Sequence, residues 1–251
     1  MRLAVKIAYD GCHFHGFARQ PKLRTVEGDI LQALRSHHII TDTTTAQFRF
    51  ASRTDKGVSA LGNVIAFNTS LSPNMVIDSL QQDFTDILVV GIAVVDSDFY
   101  PRHARNRIYK YYLKKNDAEM TSLLSTLSLF TGYHSFVNFA RVETGKNPFR
   151  TIDHIIVSKD KGFYVIEFSA QTFLWQQIRR IISAVILVEN DKITKEDICT
   201  ALESSEKLYD FRVADAKPLF LQDVVYDFSF DIDIKKQDLV KRLEKNVVRS
   251  L

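Results

Sequence analysis

Thiols are scarce in this 251-residue chain: Cys12 and Cys199 are the two cysteines, and they form no CxxC pair. A disulfide framework needs more than that, so the pattern points to an intracellular setting. Long apolar runs are missing too. The longest, around Ile181–Val188, falls far short of the roughly 20 residues that span a bilayer. The opening MRLAVKIAYD alternates and meets charge at once, which is strand-like and unlike a signal peptide. A cytoplasmic protein with no membrane segment is expected. Nor is there a marked excess of one charge sign: 33 Lys and Arg face 30 Asp and Glu, a formal net charge of +3. Bulk charge is therefore a weak signal, and any argument for a polyanionic partner rests on local clustering. Low-complexity segments and short repeats are absent.

What remains is ordinary globular material, 45% hydrophobic and 25% charged, enough for a core without metal or disulfide support. Leu3, Val5, Ile7 and Tyr9 alternate as in a half-buried strand. A loop with Gly11, Gly16 and Pro21 follows, then Thr25 as the N-cap of a helix carrying Val26, Ile30 and Leu34. Phe48-Arg49-Phe50 predicts a strand running into a loop at Ser52–Gly57, with further strands at Asn63–Phe67 and Gly91–Val95. The irregular stretch Phe99–Arg105, with Pro101, is the best boundary, dividing residues 1–100 from 101–251. Beyond it come a strand at Ile108–Leu113, a short apolar helix or turn at Leu123–Phe130, and a hairpin of Thr151–Val157 with Phe163–Phe168. A long, largely buried helix is expected over Phe173–Val188. Another starts at Thr194, with Asp197 placed as in a capping box. A strand at Leu219–Tyr226 and an amphipathic helix at Lys235–Arg249 close the chain. Strands and helices mixed in this way argue for an α+β fold.

Three segments have the residues for chemistry. Arg53-Thr54-Asp55-Lys56-Gly57 follows an apolar strand, where an aspartate among guanidinium groups stays ionised and can serve as nucleophile or base. Read alone, Asp-Lys-Gly equally describes a tight turn with glycine in the left-handed position. Arg102–Lys115 carries Arg102, Arg105, Arg107, Lys110, Lys114 and Lys115 with no acid, interleaved with Tyr109, Tyr111 and Tyr112. Cations track phosphates and aromatic faces stack on bases, which suits RNA; a lysine-guarded edge strand is the plainer reading. In Gln171–Val188, Arg179 and Arg180 interrupt an apolar helix and need partners or a route to solvent.

Two other chemistries fit poorly. Gly91–Asp98 ends in D-x-D, similar to the loop of haloacid-dehalogenase-type hydrolases, but Tyr100 stands where a small hydroxyl residue belongs and a basic strand follows. Cys12, His13 and His15 lack zinc spacing, and a helix end accounts for His37 and His38. No metal is expected.

Taken in order, several segments resemble the TruA family of tRNA pseudouridine synthases. They are Tyr9-Asp10-Gly11 with Phe14, Gly16 and Phe17; Thr25-Val26-Glu27-Gly28; Ser52–Ala60; and Ala104-Arg105 with Arg107, Tyr109, Lys110 and Tyr111. His134, Phe136 and Phe139, then Phe173-Leu174 with Ile178-Arg179, and finally Pro218–Tyr226 complete the set. Cys12, Phe17 and Ala18 depart from many members, while Asp55–Ala60 and Pro218-Leu219 are closer to archaeal and eukaryotic relatives. The resemblance implies a pseudouridine synthase fold of two similar α+β halves, with largely antiparallel mixed sheets flanking a central basic cleft. Residues 1–100 would carry the aspartate loop, and residues 101–251 the basic strand and long helix. It implies an isomerase acting on tRNA in the anticodon arm, around positions 38–40, by base flipping, with no cofactor and as a homodimer. By the same resemblance Asp55 is the nucleophile, Tyr109 stacks on the flipped base and takes its C5 proton, and Arg179 pairs with Asp55. Arg53 helps expel the base, and Arg105, Arg107 and Lys110 bind substrate. A non-catalytic RNA-binding protein of the same fold, or a synthase with other RNA targets, are the rival readings.

Overall fold

A computed structural model describes residues 1–84, 86–115, 119–232 and 234–251. In chain order the strands and helices begin with β1 (Arg2–Tyr9), α1 (Val26–Ser36), β2 (Arg49–Phe50), β3 (Ser59–Asn68), α2 (Pro73–Asp83) and β4 (Ile87–Val95). Next come β5 (Asn106–Lys114), α3 (Met120–Ser128), β6 (Gly132–Ser135), β7 (Phe149–Ile152), β8 (His154–Asp160) and β9 (Phe163–Ala170). The chain closes with α4 (Gln177–Glu189), α5 (Lys195–Glu203), β10 (Leu219–Val225), β11 (Asp231–Ile232) and α6 (Ile234–Arg249). No helix among the described residues is long and apolar enough to cross a membrane.

Two compact units result: Met1–Arg105 with Phe220–Leu251, and Asn106–Leu219. The closing segment, grouped by sequence with the second half, lies in the first unit for a visible reason. β10 pairs parallel with β3, Phe220 opposite Ser59, and β11 pairs antiparallel with β4. Within the first unit the sheet runs β11-β4-β1-β3-β10, with β2 also on β3. Antiparallel pairs dominate and one parallel pair makes it mixed, as an α+β fold allows.

The central strand β1 differs from its expected half-buried form: all eight residues are buried. Arg2 and Lys6 are included because each has a partner inside. The Arg2 Nε donates to the Phe99 carbonyl at 2.8 Å and its Nη1 to Asn68 Oδ1 at 3.0 Å, while Lys6 Nζ meets Asp223 Oδ1 at 2.6 Å. A buried cation satisfied this way avoids the penalty of an unpaired charge. Thr25 caps α1 as expected, accepting from the Gly28 N–H.

In the second unit β5, β9 and β8 form an antiparallel run, with Tyr109 opposite Phe168. The hairpin turns at Lys161 (φ 48°) and Gly162, but Thr151 belongs to β7, in a separate pair with β6. The capping box of Thr194 and Asp197 is in place. The long helix starts later than predicted, at Gln177, because Gln176 is left-handed (φ 62°) and Trp175 is held by a bridge to Arg141. Phe130, Phe136, Phe139, Phe168 and Ile181 are fully buried in this unit.

Candidate active site

Asp55 lies on the loop between β2 and β3. The turn reading of its pentapeptide holds: the Val58 N–H donates to the Asp55 carbonyl at 3.1 Å, with Gly57 at φ 84° inside the turn. That turn leaves the Asp55 side chain half-buried and Arg53 and Lys56 exposed. The residue just before Asp55 is fixed from below. Thr54 shares a 2.9 Å hydrogen bond with the Tyr9 hydroxyl, and Asn63 Nδ2 donates to Tyr9 at 3.3 Å and to the Ser52 carbonyl at 3.0 Å. All of these side chains are buried, so losing a partner leaves a polar group unsatisfied.

The first loop clamps the same segment from the other side. The Phe17 N–H donates to the Thr54 carbonyl at 3.0 Å, and the Gly11 N–H donates to Ser59 Oγ at 3.0 Å. A Cβ on Gly11 would lie 2.3 Å from the Val58 carbonyl oxygen, and one on Gly16 (φ +97°) would lie 3.2 Å from that of Thr54. Backbone approaches backbone here, which only glycine allows. The clamp is itself tied to α1, whose Glu27 and Val26 N–H groups donate to Phe17 and Gly16 at 2.9 and 3.3 Å. Phe17 packs on Phe50 at 4.8 Å, and the guanidinium groups of Arg53 and Arg102 lie 5.7 and 5.5 Å from the Phe50 ring centroid. The loop that carries the Asp55 carboxylate is thus fixed from two sides, with two guanidinium groups over the Phe50 ring near its root.

In the second unit Tyr109 is a buried residue of β5, met edge-on by Phe173 at 5.3 Å and 84°. Tyr111 and Tyr112 are also buried. Among the cations of this segment Lys114 is exposed and Lys110 half-buried. Arg107 is buried and donates to the Gln171 carbonyl, beneath the segment that carries Phe173. Arg105, in the first unit, is exposed and paired with Asp227. The two arginines of α4 part ways: Arg180 donates to Asp210 at 2.6 Å, whereas the Arg179 Nε donates to the Ala214 carbonyl at 2.8 Å. Arg180 also holds the Asp210 carboxyl below its usual range. Among the described residues no three of His, Cys, Asp and Glu gather as metal ligands would.

A family model described as tRNA pseudouridine synthase matches residues 127–227. Similarity to whole proteins extends much further. A tRNA pseudouridine synthase A of Thermococcus sibiricus is 42% identical over 246 residues, 96% of this chain and 91% of that one. Proteins of the same name from Thermococcus gammatolerans and Pyrococcus furiosus are 36% and 38% identical, over 100% and 99% of this chain and 96% and 91% of theirs. The chain belongs to the tRNA pseudouridine synthase A family. It is an isomerase, and the α+β architecture described above is the pseudouridine synthase fold.

For this synthase, sequence reading alone missed the support of the Asp55 loop. The sequence places Tyr9 on a half-buried strand and at the opening loop, and Asn63 at the start of a strand, with no link from either to Asp55. A signal was present in each case. Asn63 sits between Leu61-Gly62 and Val64-Ile65, where a buried amide has to find partners, and Gly11 and Gly16 are two of only nine glycines.

Proposed function

We propose that this protein converts uridine to pseudouridine in the anticodon arm of tRNA, with Asp55 as the nucleophile. The observation that carries the reading is the clamp on residues 52–59, which holds one half-buried carboxylate in a fixed turn. The reaction breaks the N1–C1′ bond, rotates the uracil and rejoins it through C5, with no net change in atoms or charge. A stacked uridine has to be flipped out first, at a cost of a few kcal/mol, which phosphate contacts offset.

Asp55 attacks the flipped nucleotide, at ribose C1′ or uracil C6. Arg179, by family membership, is the cation this reaction uses. Tyr109, its ring fixed by Phe173, stacks on the uracil and takes the C5 proton; a phenol of ordinary pKa about 10 needs local activation for that. Arg53, anchored over Phe50, fills the space the base leaves. Lys110 and Arg105 meet phosphate, Arg105 exchanging its exposed partner Asp227 for RNA, while Arg107 holds the segment beneath Phe173. Action as a homodimer in the cytoplasm belongs to the same reading through family membership.

Incubating unmodified tRNA with the purified protein and mapping pseudouridine tests this directly. New pseudouridine at the anticodon-arm uridines around positions 38–40 is expected. Pseudouridine confined to other sites would overturn the assigned target, and none at all would overturn the reading.

A further inference from the structure

Trp175 is the only tryptophan in the chain, and 46% of its surface is exposed. One exposed apolar side chain is commonplace; the way this one is held is not. The Arg141 N–H donates to the Trp175 carbonyl at 2.8 Å, the two residues form an antiparallel bridge, and the Arg141 guanidinium lies 4.3 Å from the indole centroid. On the other side Gln176 is left-handed and the Leu174 N–H donates to Gln177 Oε1 at 2.8 Å, so the entry to α4 is fixed. Two residues before Trp175, Phe173 touches Tyr109. Tyr109 and Phe173 are thus in ring contact, and Trp175, two residues further along the chain, is covered by the Arg141 guanidinium. From Phe168 to Val188 the chain carries no acidic residue; exposed Glu143 is the nearest acid in sequence to Arg141.

From this arrangement we infer that the Arg141–Trp175 pair is a second stacking site, which takes an unpaired nucleotide neighbouring the target uridine. The inference rests on the proposed function, in which Tyr109 receives the target base. A rigid indole offers a face to any base, and a guanidinium above it supplies both further stacking surface and charge for the adjoining phosphate. Such a site adds affinity without sequence preference, as an enzyme acting on more than one uridine requires.

Because Trp175 is the sole tryptophan, fluorescence excited at the red edge, beyond the absorption of the nine tyrosines, reports on it alone. Titrating the full-length protein with unmodified tRNA, and separately with a short single-stranded RNA, should quench that emission in a saturable way, as a base stacks on the indole. Inorganic polyphosphate should leave the emission unchanged. Trp175→Ala should raise KM for tRNA about tenfold with kcat within about twofold, and Trp175→Phe should recover most of the loss. Unchanged emission at tRNA concentrations that saturate binding would overturn the inference. So would equal quenching by polyphosphate, or a KM unaltered in Trp175→Ala. Quenching by RNA without any pseudouridine formation would sink the proposed reaction and leave the stacking site standing.

Discussion

At the scale of single residues, Asp55 owes its position to its neighbours. Gly16 combines φ +97° with a close approach to the Thr54 carbonyl, so Gly16→Ala both strains the backbone and pushes on the loop. A loss of about 1–2 kcal/mol in urea unfolding is expected, together with a fall in single-turnover rate of at least about tenfold, because small misplacements at a reacting group are amplified. Arg179 and Arg180 provide a second comparison. Arg180 is committed to Asp210, an exposed partner, so Arg180→Ala should lower kcat no more than about twofold, whereas Arg179→Ala should lower it about a hundredfold or more. Equal losses would refute the roles given to them. Asp55 itself was legible in the sequence because Ser52–Ala60 resembles a known catalytic loop. The supports at Tyr9, Thr54 and Asn63 were not, because which hydroxyl meets which is a matter of strand register, with Tyr9 opposite Ala60 and Ile7 opposite Asn63.

At the scale of elements, caps and periodicity were read well. Thr25 and Thr194 start helices where their side chains predicted, since an N-cap acts within a few residues of itself. The carboxyl of Asp197 is held below its usual range, chiefly by the backbone N–H of Thr194 and then by its hydroxyl. A carboxylate with a lowered folded pKa adds stability that is complete above its unfolded value and is lost as pH falls through the folded value. Asp197→Asn should therefore destabilise the protein near neutral pH, and by progressively less as pH falls below the ordinary carboxylate range, measured by chemical unfolding across that range. Equal effects throughout would remove the charge from the explanation. Where element reading failed, tertiary contact decided. Phe173–Gln176 has helical periodicity, yet the Trp175–Arg141 bridge draws it out of the helix.

At the scale of the whole molecule, composition gave the class and little else. A near-balanced charge concealed the basic segment, and chain order concealed the return of Phe220–Leu251 to the first unit, because nothing local marks a pairing across more than 150 residues. Phe220, Leu221 and Val224 are buried in that return, and the ion pair of Lys6 with Asp223, at 2.6 Å, joins β1 to β10. Lys6 is nearly enclosed, with the Phe230 ring 4.8 Å away. Removing its partner by Asp223→Ala should cost about 1–3 kcal/mol, below the figure for a fully buried pair since Asp223 is partly exposed. The double change Lys6→Met with Asp223→Ala should restore most of it, because no buried charge is then stranded. An additive double mutant in urea unfolding would contradict this coupling.

The central claim is that one carboxylate, that of Asp55, forms a transient bond to the target nucleotide. Asp55→Asn keeps the size of the side chain and the turn around it while removing the nucleophile. With tRNA carrying tritium at C5 of uridine, in excess enzyme, the variant should bind tRNA within about threefold of the unaltered protein and release no tritium above background. Tritium release by Asp55→Asn at a rate comparable to that of the unaltered protein would contradict the claim.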